Sequence, residues 1–399
     1  MDYLTELFCL VDDFCKTFEP KFNQQRISHQ ANKKIRQRKA SVSTAEIMTV
    51  WIDFHQIRYR HFKTYYLFQI KRMLSQAFPN MPSYNRFVEL AQRTIIPFSA
   101  FLKTQMGQCS GISFVDSTAL AVCHNRRIPT HRVFAGSARR GKSSMGWFYG
   151  FKLHALINHQ GALVDVRLTP GNVNDRHAWK DMAASLWSIV VGDKGYLGKE
   201  LTQWLQSEYG IHLVTGKKKN MKQQDKTPFE PGLLQKRGVI ESVFDELKNL
   251  CQIEHTRHRS YTGFLLNLIS DLVAYCLMPF KPGVKINVAG LPARGVGNVL
   301  DYPELTLNNA KKPCCFRQGL VLISSFPNSA TVWPPVVRRG LQDRLSWLHG
   351  KCRQSGIYPV LHRFSLKNTA CSSGVSRLSH SSCQISAKFS VVMTILSSF

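Results

Sequence analysis

Acidic residues are scarce: 25 Asp and Glu stand against 53 Lys and Arg in 399 residues, a formal net charge of +28 at pH 7. An excess of that size argues for a polyanionic partner, because each cation set against a phosphate releases a condensed counterion. Nucleic acid is the first candidate and an anionic membrane the second; the plain alternative is a soluble basic protein. Long apolar runs are also missing. No stretch approaches the roughly 18 residues needed to span a bilayer, and the best, 264–280, contains Asp271 and reads as a buried helix, so a membrane role is unsupported. There is no GxxxxGK[ST] loop, which removes the usual cradle for a nucleotide phosphate. The 11 Cys are odd in number and irregularly spaced, and no signal peptide leads the chain, so reduced thiols in a cytoplasm fit better than a disulfide framework. Cys109, Cys123, His124 and His131 lack the paired close ligands of a zinc finger. The hydrophobic fraction of 44% is that of a globular protein, which excludes wholesale disorder.

The basic excess is spread along the chain: +8 over residues 1–108, +9 over 109–282 and +11 over 283–399. The first region reads as all-helical. Leu4, Leu7, Phe8, Val11, Phe14 and Phe18 recur at helical spacing. A basic connector over 23–39 follows, and Ser43 with Glu46 forms a capping box that starts a second helix. A third helix over 62–78 ends at Pro79 and Pro82, and Ser83 caps a fourth. This order suits a helix-turn-helix set to contact DNA, although any small helical bundle gives the same pattern.

From Gly111 the period changes. Strands are predicted over 112–122, 147–158, 162–168, 188–192 and 211–215, with helices over 175–186, 199–208 and 233–250. A strand, two hairpin-linked strands and then alternating helix and strand give an α/β sandwich with a mixed sheet, the ribonuclease-H-like order. Beyond 282 the acids nearly vanish and Ser clusters, as in a poorly ordered extension.

Three acids have addresses suited to metal-assisted chemistry. Asp116 lies inside an apolar strand, where a carboxylate is costly unless paired or metal-bound. Asp193 follows a buried strand, at the carboxyl end where open sheets place ligands. Glu241 shares a helical stripe with Arg237 and Lys248, a pattern that serves either a metal site flanked by phosphate-gripping cations or a solvated salt-bridge ladder.

Residues 1–282 resemble the DDE transposases of short bacterial insertion sequences, especially insertion-sequence family 982. The resemblance rests on SYNRFVEL at 83–90, GISFVDST at 111–118, RRGKSSMGWFYGFKLH at 139–154, LTPGNVNDR at 168–176, GDKGYLG at 192–198 and IESVFDELKN at 240–249. VDDFCK at 11–16, VCHNRRI at 122–128, KKKNMK at 217–222 and IEHTRHRS at 253–260 complete it in the same order. It implies that Asp116, Asp193 and Glu241 bind two Mg²⁺ ions, with Mn²⁺ as a substitute. Leu234 stands where related elements often carry a Tyr, so one aromatic contact is missing. The resemblance further implies DNA partners, both terminal inverted repeats and target, and a homodimer holding two ends in a bacterial, nucleoid-associated setting. It ends near Pro282, and residues 283–399 are expected to be read-through beyond the element's proper end.

Basic clusters surround the acids. A basic loop over 124–146, taken as flexible, offers Arg126, Arg127, Arg139, Arg140 and Lys142 to DNA. Lys217, Lys218, Lys219 and Lys222 form a second run, Arg257 and Arg259 a third, and Arg237 and Lys248 flank Glu241 on its helix. Each alone reads equally as a solvated face. Trp147 and Tyr196 can stack on an unpaired base, with core packing the plainer role for Trp147; His154 and His177 read as structural or phosphate-adjacent. The expected reaction is hydrolysis at the element's ends to free a 3′-hydroxyl, then in-line attack of that hydroxyl on target DNA. The rival readings are a ribonuclease-H-like nuclease without strand transfer and a catalytically defective or domesticated copy that only binds DNA.

Overall fold

In the computed structural model, residues 2–29, 40–216, 229–254 and 258–286 are described. Helices α1 (Tyr3–His29), α2 (Thr44–Gln56), α3 (Phe62–Tyr65), α4 (Tyr84–Ala91) and α5 (Ile95–Gln105) come first. The predicted capping box is present at α2. Ser43 Oγ accepts the Glu46 N–H at 3.1 Å, and Glu46 Oε2 accepts the Ser43 N–H at 2.7 Å, which satisfies two otherwise orphaned donors. α3 runs on as a π-helical stretch, Tyr66–Met73, and the connection 74–83 then leads to α4. That connection is longer than the turn of about 3–4 residues in a helix-turn-helix, so this pair of helices lacks that motif's geometry. The basic connector at 30–39 lies outside the described residues, as does the expected extension from 287 onward.

The sheet follows: β1 (Ile112–Cys123), β2 (Arg139–Ser143), β3 (Gly146–Asn158), β4 (Leu163–Pro170), then α6 (Asp175–Met182), β5 (Ile189–Gly192), α7 (Lys199–Tyr209) and β6 (His212–Thr215). Helices α8 (Glu230–Lys236), α9 (Gly238–Asp245) and α10 (Tyr261–Cys276) close the described fold, with a π-helical turn over Glu246–Leu250. The strand order is β2-β3-β1-β5-β6, and β4 also pairs with β3. β3 runs antiparallel to β1, β2 and β4, whereas β5 and β6 run parallel to β1. This is the mixed, ribonuclease-H-like sheet that the sequence predicts. Two elements depart from expectation. The supposed flexible loop at 124–146 contains β2, and the single helix expected over 233–250 is broken at Arg237.

Side chains alternate across the sheet with the period of two that a strand imposes. Phe114, Ala155, Val191 and Val214 face a core shared with α2, α5, α9 and α10. Val115, Leu156, Val190 and Leu213 face the opposite core, beneath Trp179 and Met182 of α6 and Leu201 and Leu205 of α7. The N-terminal helices belong to the first core, where Val50, Phe54, Phe98 and Phe101 are buried with Leu272 and Tyr275 of α10. The fold continues to Ile286: the Val284 N–H donates to the His159 carbonyl at 2.8 Å. Among the described residues no helix is long and apolar enough to cross a membrane, and the described cysteines are free thiols.

Where α2 meets α10, polar groups are sealed inside. His55 Nδ1 is 2.7 Å from the Cys251 carbonyl and therefore carries the proton; Nε2 is 3.0 Å from Ser270 Oγ. The Asp271 carboxylate lies 4.0 Å from the same Nδ1, with both side chains fully buried. Burial pushes the Asp271 carboxyl well above the usual range and the His55 ring down to about 4. In the fold Asp271 keeps a proton that the unfolded chain releases near pH ~3.9, so its contribution to stability falls as pH rises toward its folded value. His55 has the opposite slope, confined between about 4 and 6.5. Of the two, only the Asp271 slope lowers stability as pH rises. Asp271→Asn is therefore expected to reduce the loss of melting temperature as pH rises, followed by thermal melts across pH. An unaltered slope would remove Asp271 from this account.

Candidate active site

Asp116 stands on the β1 face that α9 covers, and register sets it opposite Ala155 of β3. Asp193 immediately follows β5 and begins a short 3₁₀ turn, Lys194–Tyr196. Glu241 lies in the first turn of α9, and Arg237 sits at the α8–α9 junction. These segments are far apart in sequence, yet one guanidinium joins them. Arg237 Nη1 donates to Asp116 Oδ2 at 3.1 Å, and Nη2 donates to Glu241 Oε1 at 3.0 Å and lies 4.0 Å from Asp193 Oδ1. The three carboxylates thus converge on a single cation.

Their environments differ. The Asp116 side chain is 22% exposed, against 52% for Asp193 and 62% for Glu241. Burial pushes the Asp116 carboxyl up to about 6, and the charges of Asp193 and Glu241 add to the rise. The Ser117 N–H, which donates to Asp116 Oδ1 at 2.8 Å, and the Arg237 guanidinium act the other way. A carboxylate held in that state gains from any nearby cation.

The donor set has the chemistry of a hard-cation site, since carboxylate oxygens are the ligands that Mg²⁺ and Mn²⁺ prefer. In this arrangement Arg237 fills the centre, and among the described residues no group of three His, Cys, Asp or Glu side chains is spaced to hold a metal ion directly. The nearest oxygens are set against a planar guanidinium, and a metal ion drawn to all three carboxylates would compete with Arg237 for them.

A second polar cluster, missed by sequence reasoning, lies on the other face of β1. Ser117 Oγ donates to Asp175 Oδ1 at 3.1 Å, and Lys152 Nζ donates to the same oxygen at 3.0 Å. His154 Nδ1 is 3.8 Å away, and its Nε2 meets Thr169 Oγ1 at 2.8 Å. Burial holds the His154 ring down to about 4. Tyr196 is buried against Trp179 in the core beneath α6 and α7, so base stacking on Tyr196 is not open in this conformation. The available signal for Asp175 was its position in the first turn of α6, read only as a helix start.

The basic residues are placed as follows. Arg126 and Arg127 are exposed on a 3₁₀ turn, Asn125–Thr130, and Arg139, Arg140 and Lys142 are exposed on β2. Arg259 is exposed just before α10. Lys248 is tied to β1, donating to the Ala119 carbonyl at 3.0 Å with Glu254 Oε1 at 3.4 Å, on the strand that carries Asp116. Lys217, Lys218, Lys219, Lys222, His255 and Arg257 lie outside the described residues. Trp147 is 59% exposed, which corrects the plainer expectation of a core residue. The register of β3 turns its ring outward, opposite Lys142.

Residues 106–261 match the family model described as the transposase DDE domain. No curated protein matches the chain. The matched segment runs from the end of α5 to the start of α10 and contains Asp116, Asp193, Arg237 and Glu241, so it supports a transposase-type function.

Proposed function

Starting from the match of 106–261 to a transposase DDE domain, we propose that this chain cuts DNA at insertion-sequence ends and joins the freed ends to target DNA. One observation carries the reading: carboxylates from β1, the end of β5 and α9 all lie within 4.0 Å of the Arg237 guanidinium. Two Mg²⁺ ions, or Mn²⁺ in their place, held by Asp116, Asp193 and Glu241 would supply charge neutralisation for in-line displacement at phosphorus. The chain's own part is to orient. β1 and β5 carry Asp116 and Asp193 two residues past the last β1–β5 pair, Phe114 with Val191, and α9 brings Glu241 over them. Arg237, freed from the carboxylates, offers a cation to a phosphate, and Lys248, on the turn after α9, offers another from its contact with the Ala119 carbonyl of β1. The exposed cations at 126–127 and 139–142 and Arg259 track the DNA backbone, and we assign Lys217, Lys218, Lys219, Lys222 and Arg257 the same role. The helical region 1–108 recognises the terminal repeats, within a bacterial cytoplasm and as a homodimer on two ends.

The test is incubation of the full chain with Mn²⁺ and a duplex carrying the element's end. Nicks bearing a 3′-hydroxyl, abolished by EDTA, and joined products on target plasmid are expected. Nicking without joining would favour a nuclease, and DNA binding without nicking a binding-only copy; either result would displace the transposase reading.

A further inference from the structure

The β2–β3 hairpin carries features that the carboxylate site does not use. Ser143 pairs with Gly146, leaving Ser144 and Met145 as a two-residue tip. Gly146 has φ +111°, a conformation open to glycine and strained for other residues. Ser143 Oγ holds the tip, accepting the Met145 N–H at 3.3 Å. The two strands are anchored as well. A Cβ on Gly141 would collide with the Gly171 carbonyl, and Asn125 Nδ2 donates to the Trp147 carbonyl at 2.7 Å. On this braced ribbon stand Met145, 96% exposed, and Trp147.

A braced hairpin that buries Phe148 and Phe151 yet leaves Trp147 and Met145 in water is unusual for a surface turn. The surrounding charge says what covers it. Arg140 and Lys142 share one face with Tyr149 and Trp147, their cross-strand partners, so cations and aromatics alternate. Lys142 Nζ lies 5.8 Å from the Trp147 ring centroid. Arg126, Arg127 and Arg139 add exposed positive charge nearby, and the hairpin itself carries no acid between 132 and 164. Alternating aromatics and cations are what a nucleic-acid strand meets when its bases stack and its phosphates are tracked. A protein partner with an acidic apolar surface would answer the charge without requiring an indole.

We propose that Trp147, framed by Lys142 and the exposed Met145, is a stacking platform for an unstacked DNA base. The platform lies eight positions along β3 from Ala155, the partner of Asp116, which is about 26 Å at roughly 3.3 Å per residue. It therefore engages DNA away from the cleavage point. The inference rests on the DNA-binding part of the proposed function but needs no metal.

The experiment measures binding of the full chain to a fluorescein-labelled 30-nucleotide single strand and to its duplex, by anisotropy in EDTA over a range of salt. Trp147→Ala is expected to weaken single-strand binding by about 5- to 150-fold, the range for one stacked base, with an unchanged salt slope. Trp147→Phe, which keeps a ring, should retain most of the affinity, and Lys142→Ala should lower the salt slope by about one. Thermal melts matching the wild type confirm that each variant is folded. Trp147→Ala binding as tightly as the wild type would overturn the platform, as would an equal loss in Trp147→Phe. Absence of all DNA binding would overturn the platform and the transposase reading together. Intact stacking with no nicking would overturn only the latter.

Discussion

Asp116→Ala is expected to reduce Mn²⁺-dependent cleavage by about a thousandfold, because metal-borne charge neutralisation supplies several kcal/mol at the transition state. Asp193→Ala and Glu241→Ala are expected to follow with losses of similar order. Asp116 should be the most sensitive: it is the least exposed of the three and is fixed mid-strand, paired with Ala155 of β3 just past the β1–β5 ladder that ends at Phe114. Affinity for DNA in EDTA should hold or tighten slightly in each variant, since a negative charge leaves a basic surface. That separation matters, because an unfolded variant loses both properties. A folded Asp116→Ala chain that nicks at the wild-type rate would dissolve the proposed site.

The sheet was legible because burial writes itself into residue type. β1, β5 and β6 are short apolar runs, and the chain order of strand, hairpin, helix and strand leaves few arrangements. β2 left no such trace. Arg139–Ser143 has three cations and a glycine, and its conformation is dictated by the neighbouring β3 rather than by its own propensity. α5 was missed for the reverse reason. It is buried along most of its length, so no polar face marks a helical period. Trp147 shows the limit of composition: an indole signals burial on average, and only the register of β3 reveals that this one faces solvent. At the candidate site, the four-residue spacing of Arg237 and Glu241 foretold their contact. Nothing local could show that the same guanidinium also reaches Asp116 and Asp193, which are brought in by sheet order alone.

That shared guanidinium sets the second large effect. Without metal, Arg237→Ala leaves three carboxylates facing one another and takes from Asp116 its 3.1 Å donor. Asp116 is mostly buried, so the loss is more than that of a surface pair. With Arg237 itself 24% exposed, solvent screening reduces it. A cost of about 1–2 kcal/mol is expected, or roughly 2–8 °C in melting temperature for a fold of this size. Arg237→Lys should recover only part, because a point charge cannot bond two carboxylates as a planar fork does. Added Mn²⁺ should then stabilise Arg237→Ala more than the wild type, since in the wild type the ion must first displace a resident cation, whereas in the variant it relieves unopposed repulsion. Melts of the three proteins in EDTA and in Mn²⁺ separate the cases. If Arg237→Ala melts with the wild type in EDTA and gains no more from Mn²⁺, the guanidinium is a bystander, and the carboxylates keep their positions through the backbone alone.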